Sequence, residues 1–205
     1  MVPARPPAIA PFFRLKAVAP VSGPYDLEGA EVPGMFNGSV NNTSAVFCMA
    51  YFVTAQNRVH PLCKTPADAF RRPYDRTAES LFDGLHEDED IVKDEDIVRA
   101  LPSTLKDLFT PEFYARIKQP AGAFKDVLRA NDGTCDWKPA VPVHLFSASG
   151  DTDVPIANAR NCAGRLAAHG THAPVTDQGA VDHNRTFMKS APQTVSFFDR
   201  VAGRD

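Results

Sequence analysis

The chain has 205 residues, 43% of them hydrophobic, enough for one domain with a buried core and room for an insertion. Its net charge of −3 and pI near 6.1 leave no basic surface of the kind nucleic acid requires. No stretch of the sequence approaches the ~20 apolar residues that span a bilayer.

The start, MVPARPPAIAPFFRLKAVAP, is not expected to be a signal peptide, because prolines break its apolar part and it runs into a strand-like segment. That segment, LKAVAPV at 15–21, reads as a buried parallel strand, since such strands are continuous apolar runs rather than alternating ones. The turn SGPYD follows it. More than a hundred residues then read as helices and loops inserted over one edge of the sheet. Within them DEDIV occurs twice, at 88–92 and 94–98. No glycine stands where a calcium loop needs its sharp turn, so the repeat reads as a solvated helix start. Thr110 suits an N-cap with Pro111 at the first helical position. Phe113, Ile117, Phe124, Val127 and Leu128 then recur at helical spacings, and Asn131-Asp132-Gly133 signals a turn.

The second strand is VPVHLFS at 141–147, and the third is HAPVT near 172–176. Between them a helix over 156–169 places Ile156, Ala159, Ala163, Leu166 and Ala167 on one face, and Gly170 ends it. A last helix is expected with Ser190 as N-cap, Pro192 in its first turn, and Val195, Phe198 and Val201 on one side. Strand, helix, strand, helix is the order of a parallel α/β sheet.

The four cysteines, Cys48, Cys63, Cys135 and Cys162, form no CxxC pair, so zinc is not expected. Their even count allows two disulfides or four thiols. Cys135 and Cys162 flank the second strand and are the preferred pair. The glycosylation triplets at Asn37, Asn41, Asn42 and Asn184 carry little weight, because such triplets arise by chance.

Parallel strands deliver their last residues to one edge of the sheet, where open α/β folds place their sites. The second strand leads to Asp151 and Asp153, and the third leads through AspGlnGlyAlaValAspHis to His183. A lone histidine is usually a surface or satisfied core residue. His183 differs, because a Gly-rich loop after one strand brings it towards an acidic loop after the neighbouring strand. A carboxylate beside an imidazole can fix its tautomer and stabilise its protonated form. His60, His86, His144, His169 and His172 lack that context, and His144 lies within a strand.

These segments resemble the C-terminal part of an α/β-hydrolase of the lipase- and esterase-like branch. WKPAVPVHLFSASGDTDVPIANA is similar to the acid segment of that family, and DQGAVDHNRTF to its histidine loop. SGPYDL, LFDG, ALPSTLKDLFTPEF and the RAND…W stretch are similar to other parts of the same branch. The resemblance implies a single partial domain over 1–205: about three parallel strands with flanking helices from 12–30 and 137–205, and a helical cap from 31–136. It also implies a serine-dependent carboxylic-ester hydrolase with Asp151 as acid and His183 as base, acting on a small ester or acyl substrate. The family places its acid two residues before Val-Pro, which selects Asp151 over Asp153 and leaves Asp153 as a helix cap. Asp26 ranks third, because some members take the acid from the preceding strand.

The family's serine stands on a G-x-S-x-G turn, and the sequence contains none. The resemblance thus implies a chain that starts just before the sixth of eight strands, without its nucleophile and oxyanion donors, and inactive alone. An open strand edge and uncovered apolar faces then favour self-association or pairing with an N-terminal half. A non-catalytic, degenerate hydrolase that binds a ligand or partner is the alternative. No cofactor is expected. A metal held by Asp151, Asp153 and His183 ranks below the triad.

Overall fold

The computed structural model describes residues 14–85 and 100–204, so the DEDIV repeat and His86 lie outside the described residues. In chain order the elements are a π-helical turn Leu27–Glu31, α1 (Val32–Asn37), α2 (Asn42–Asn57), α3 (Pro66–Ala69), α4 (Tyr74–Leu81), α5 (Leu105–Leu108), α6 (Pro111–Lys118) and α7 (Gly122–Asn131). A 3-10 turn Asp132–Cys135, β1 (Leu145–Ser147), α8 (Ala157–Ala168), β2 (Val175–Asp177) and α9 (His183–Ala202) complete it. Residues up to Gly34 together with Arg129 onward form one compact unit, and Met35–Leu128 form the other.

In the first unit β1 and β2 pair in parallel, with Leu145 opposite Val175, Phe146 opposite Thr176 and Ser147 opposite Asp177. The 15–21 run lies along β1 as two isolated parallel bridges, Val18 with Val143 and Val21 with Phe146, instead of a regular strand. Proline is the cause. Val18 donates its N–H to the Pro142 carbonyl at 3.0 Å, and Ser22 donates to Phe146 at 2.9 Å. Pro20 between them accepts from Phe146 but has no N–H to give. Among the described residues, the backbone groups of Ala17, Ala19 and Val21 find no partner on the far side.

Helix α8 falls within the expected 156–169 and buries Asn158, Ala159, Cys162 and Leu166. Its apolar residues pack with Val143, Leu145 and Ala173, and the Cys135–Cys162 disulfide lies inside that cluster. Cys48 and Cys63 are free of disulfides.

The last helix departs from expectation. It begins at His183, seven residues before Ser190, and Asp182 caps it by accepting the Arg185 N–H at 2.8 Å. Ser190 is buried mid-helix and Pro192 lies inside the helix. A proline there loses its own backbone donor and crowds the carbonyl four residues before it, yet the helix runs on to Ala202. The buried side of α9 holds Thr186, Ser190 and Phe197, while Met188, Val195, Phe198 and Val201 are exposed.

In the second unit Asn41 caps α2 by accepting from Ser44, and α2 buries Ala45, Val46, Met49, Ala50 and Val53. Thr110 caps α6 as expected, with Pro111 at its first position. The residues that recur at helical spacings fall on two helices, because Pro120 separates α6 from α7. Phe113, Ile117, Phe124, Val127 and Leu128 are all buried. Phe70, Phe109, Phe113 and Phe124 form a ladder of rings 5.0 to 5.9 Å apart. Among the described residues no helix is long and apolar enough to cross a membrane.

Candidate active site

The loops after β1 and β2 are stitched together before either reaches a titratable side chain. Gln178 donates its N–H to the Ser147 carbonyl at 2.8 Å, and Gly150 donates to Gly179 at 3.1 Å. The Asp177 carboxylate accepts the N–H groups of Ser149 and Gly179, both at 2.8 Å. These bonds, that from Gly179 foremost, hold Asp177 below the usual carboxylate range. Gly150 is required by the close approach: a Cβ there would lie 2.6 Å from the Val181 nitrogen. Gly179 has φ +87°, in the left-handed region glycine favours.

Asp151 follows directly and its side chain is buried. Its Oδ1 accepts the N–H groups of Asp153 at 2.9 Å and Val154 at 3.0 Å, folding the loop over its own acid. Its Oδ2 lies 2.8 Å from His183 Nδ1. His183 is the first residue of α9, so the Asp182 cap fixes where its ring starts. The structure therefore brings together the first-ranked aspartate and the selected histidine. A carboxylate oxygen accepts, so Nδ1 carries the hydrogen and Nε2 presents its lone pair. The His183 side chain is 38% exposed, and among the described residues its only hydrogen bond is to Asp151.

The other candidates have different roles. Asp153 does not cap α8, whose N-cap is Ile156; the acid loop is folded by Asp151 instead. Asp26 is buried and accepts from Arg165 at 2.9 Å, Asn161 at 2.6 Å and the Gly29 N–H at 3.1 Å, so its carboxylate anchors α8 to the π-helical turn. His144 stacks on Phe146, and its Nε2 lies 2.7 Å from Thr176 Oγ1. His169 also meets a carboxylate, that of Asp136, but both side chains are exposed. Among the described residues the buried Ser22 hydroxyl has no hydrogen-bond partner, so it is not bonded to His183.

Three contributors escaped the sequence reading. Gly150 and Asp177 stitch the loops, and only the Gly-Asp and Asp-x-Gly pairs in SGDTD and TDQG hint at them. Glu31 is buried beside the pair, and burial pushes it up to about 7, with the Asn158 hydrogen bond and His183 opposing and Asp151 adding to the rise. Its only signal was an acid flanked by apolar residues in GAEVPG.

Asp151, Asp153 and His183 could also hold a cation, since each offers a ligand atom and these lie within 4.8 Å of one another. Both oxygens of Asp151 already accept hydrogen bonds, so a cation would share that carboxylate with His183 and the loop N–H groups.

The chain superposes on a Legionella pneumophila protein assigned to the hydrolases with a TM-score of 0.80 and 25% identity, covering 94% of this chain and 50% of that one. The fold is α/β-hydrolase-like. Its likeness extends to the rice cell wall degrading esterase LipA from Xanthomonas oryzae, with a TM-score of 0.74 and 24% identity over 94% of this chain and 53% of LipA. A ligand-bound form of LipA matches with a TM-score of 0.68 and 24% identity, over 91% of this chain and 50% of that one. This hydrolase-like chain spans about half the length of the solved structures it matches. No protein-family model and no curated protein matches it.

Proposed function

We propose that the chain supplies the acid and the base of a serine-dependent carboxylic-ester hydrolase. Nε2 of His183 takes the proton of an attacking serine hydroxyl and returns it to the leaving alkoxide. Asp151 keeps the ring in the tautomer this requires and stabilises the imidazolium that forms. The observation that carries the reading is the 2.8 Å Asp151–His183 bond, with both Asp151 oxygens accepting hydrogen bonds and the His183 side chain partly exposed. The nucleophile and oxyanion donors come from polypeptide outside these 205 residues, because no G-x-S-x-G turn occurs in them. In this reading the 15–21 run completes a partial sheet of three strands, and 31–136 is a helical cap insertion whose apolar content suits an acyl substrate. The likeness to an esterase supports the substrate class.

The test is hydrolysis of a short p-nitrophenyl ester by the 205-residue chain, alone and joined to a preceding segment that carries G-x-S-x-G. The joined protein should turn over, the chain alone should not, and His183→Ala should abolish turnover. Asp151→Asn should lower kcat about 10⁴-fold with KM little changed. Turnover that survives His183→Ala sinks the proposal.

One observation favours a second, non-catalytic reading in which the chain is a partner-binding module. Leu15, Lys16 and Ala17 form a groove of about 730 Å³ with Phe198, Val201 and Ala202, next to the open backbone edge of the 15–21 run. A partner polypeptide that adds a strand there would cover the groove and pair the edge.

A further inference from the structure

Among the described residues the mechanism above leaves three buried carboxyls unused, Asp26, Asp132 and Glu31, and of these Glu31 is the one on which both Asp151 and His183 act. Glu31 ends the π-helical turn and is only 5% exposed. The one hydrogen bond to its carboxyl among the described residues comes from Asn158, which is itself buried. Asn158 uses both ends of its amide. Oδ1 accepts the Asp26 N–H at 3.0 Å, while Nδ2 donates to Glu31 Oε1 at 2.6 Å and to the Pro155 carbonyl at 3.1 Å. Pro155 closes the loop that Asp151 folds. A bonded path therefore runs from Glu31 through Asn158 to the acid loop, whose Asp151 grips His183.

The surrounding charges narrow what Glu31 can sense. On its own segment Asp26 is paired with Arg165 of α8, and Glu28 with Arg129 of α7. The acid loop presents Asp151 and the start of α9 presents His183, and both act on the Glu31 carboxyl.

We propose that Glu31 is a positioning residue for the Asp151–His183 pair, a second proton site tied through Asn158 to the acid loop and electrostatically coupled to His183. Neutral, it leaves Asp151, bonded to the ring, and the nearby Asp153 as the negative groups beside the imidazole. Ionised, it adds a further negative charge that favours the imidazolium form, the form base catalysis must reach. Burial, helped by Asp151, pushes its carboxyl up to about 7, so the two states exchange near neutral pH. The inference rests on the proposed acid and base roles of Asp151 and His183.

The experiment follows the Glu31 carboxyl carbon by NMR from about pH 4 to 9 in the 205-residue chain, in His183→Ala and in Asp151→Asn. Coupling is reciprocal, so what His183 does to Glu31 equals what Glu31 does to His183. The wild-type midpoint should lie near 7. It should rise in His183→Ala and fall in Asp151→Asn, each by on the order of half a pH unit or more. A glutamate that titrates in the ordinary range overturns the proposal, as does one indifferent to both substitutions. His183 is partly exposed, so its truncation leaves the core in place if Asp151→Asn does not fold. No turnover enters the readout. A failed ester assay would therefore strike the catalytic reading and leave the coupling measured.

Discussion

Gly150 shows how a residue without a side chain can control two residues that have one. It donates to Gly179, and the chain around Ala180 and Val181 passes where its Cβ would be. Gly150→Ala must push the histidine loop away from the acid loop, and we expect a loss of about 2 kcal/mol or more in chemical denaturation. Gly164, helical in α8 with open space at its Cβ position, is the control. Gly164→Ala should stabilise by roughly 0.5–1 kcal/mol, because alanine loses less backbone entropy in a helix. Equal effects of the two substitutions would refute the close-approach argument. Of the site residues, Asp151 and His183 were legible in the sequence because the ends of adjacent parallel strands must share an edge. Glu31 and Asn158 were not, since they meet across 127 residues through packing that has no local signature.

At the level of elements, His144 ties three of them together. Its ring stacks on Phe146 of β1, meets Phe197 of α9 edge-on and bonds Thr176 of β2. Burial, with the Arg200 charge second, holds its pKa below the usual 6.5. The unfolded chain therefore binds the proton first as pH falls. Stability from this site is complete above about 6.5 and is lost as pH drops from there towards the depressed folded value. Thermal unfolding should give a lower Tm at pH 5 than at pH 7.5, with part of that difference removed in His144→Gln. A fall of the same size in the variant would show that other groups carry it. The sequence placed His144 on a strand, and its neutral, stacked state follows from α9. That helix was misread because Ser190 and Pro192 look like a start. Asp182 is the true cap, and nothing in the string says that a proline ten residues later is tolerated within the same helix.

For the molecule as a whole, α9 turns polar side chains inward and large apolar ones outward at several positions. Thr186 and Ser190 are inside, with the Ser190 hydroxyl unpartnered, while Met188 is 72% and Val195 59% exposed. Leu15, also 59% exposed, extends the same apolar surface to the edge of the sheet. Surfaces of this kind drive association. Sedimentation should show concentration-dependent self-association, and Phe198→Asp should suppress it without lowering Tm by more than about 1 kcal/mol in equivalent stability. A wild-type chain that stays monomeric and binds no hydrophobic dye would remove the basis for a missing neighbour. Such a surface could be anticipated from the resemblance, yet the composition alone gave no hint of it, since 43% hydrophobic residues is ordinary.

The stitching of the two loops has a consequence for descent. Asp177, Gly150 and the Asp182 cap assemble the acid and the histidine using only residues after β1 begins. Selection for a well-folded tail is then enough to preserve that arrangement, generation after generation, whether or not a nucleophile remains in the gene. A lineage that lost the serine would go on inheriting the paired Asp151 and His183, open to reuse by any neighbour that brought a hydroxyl within reach.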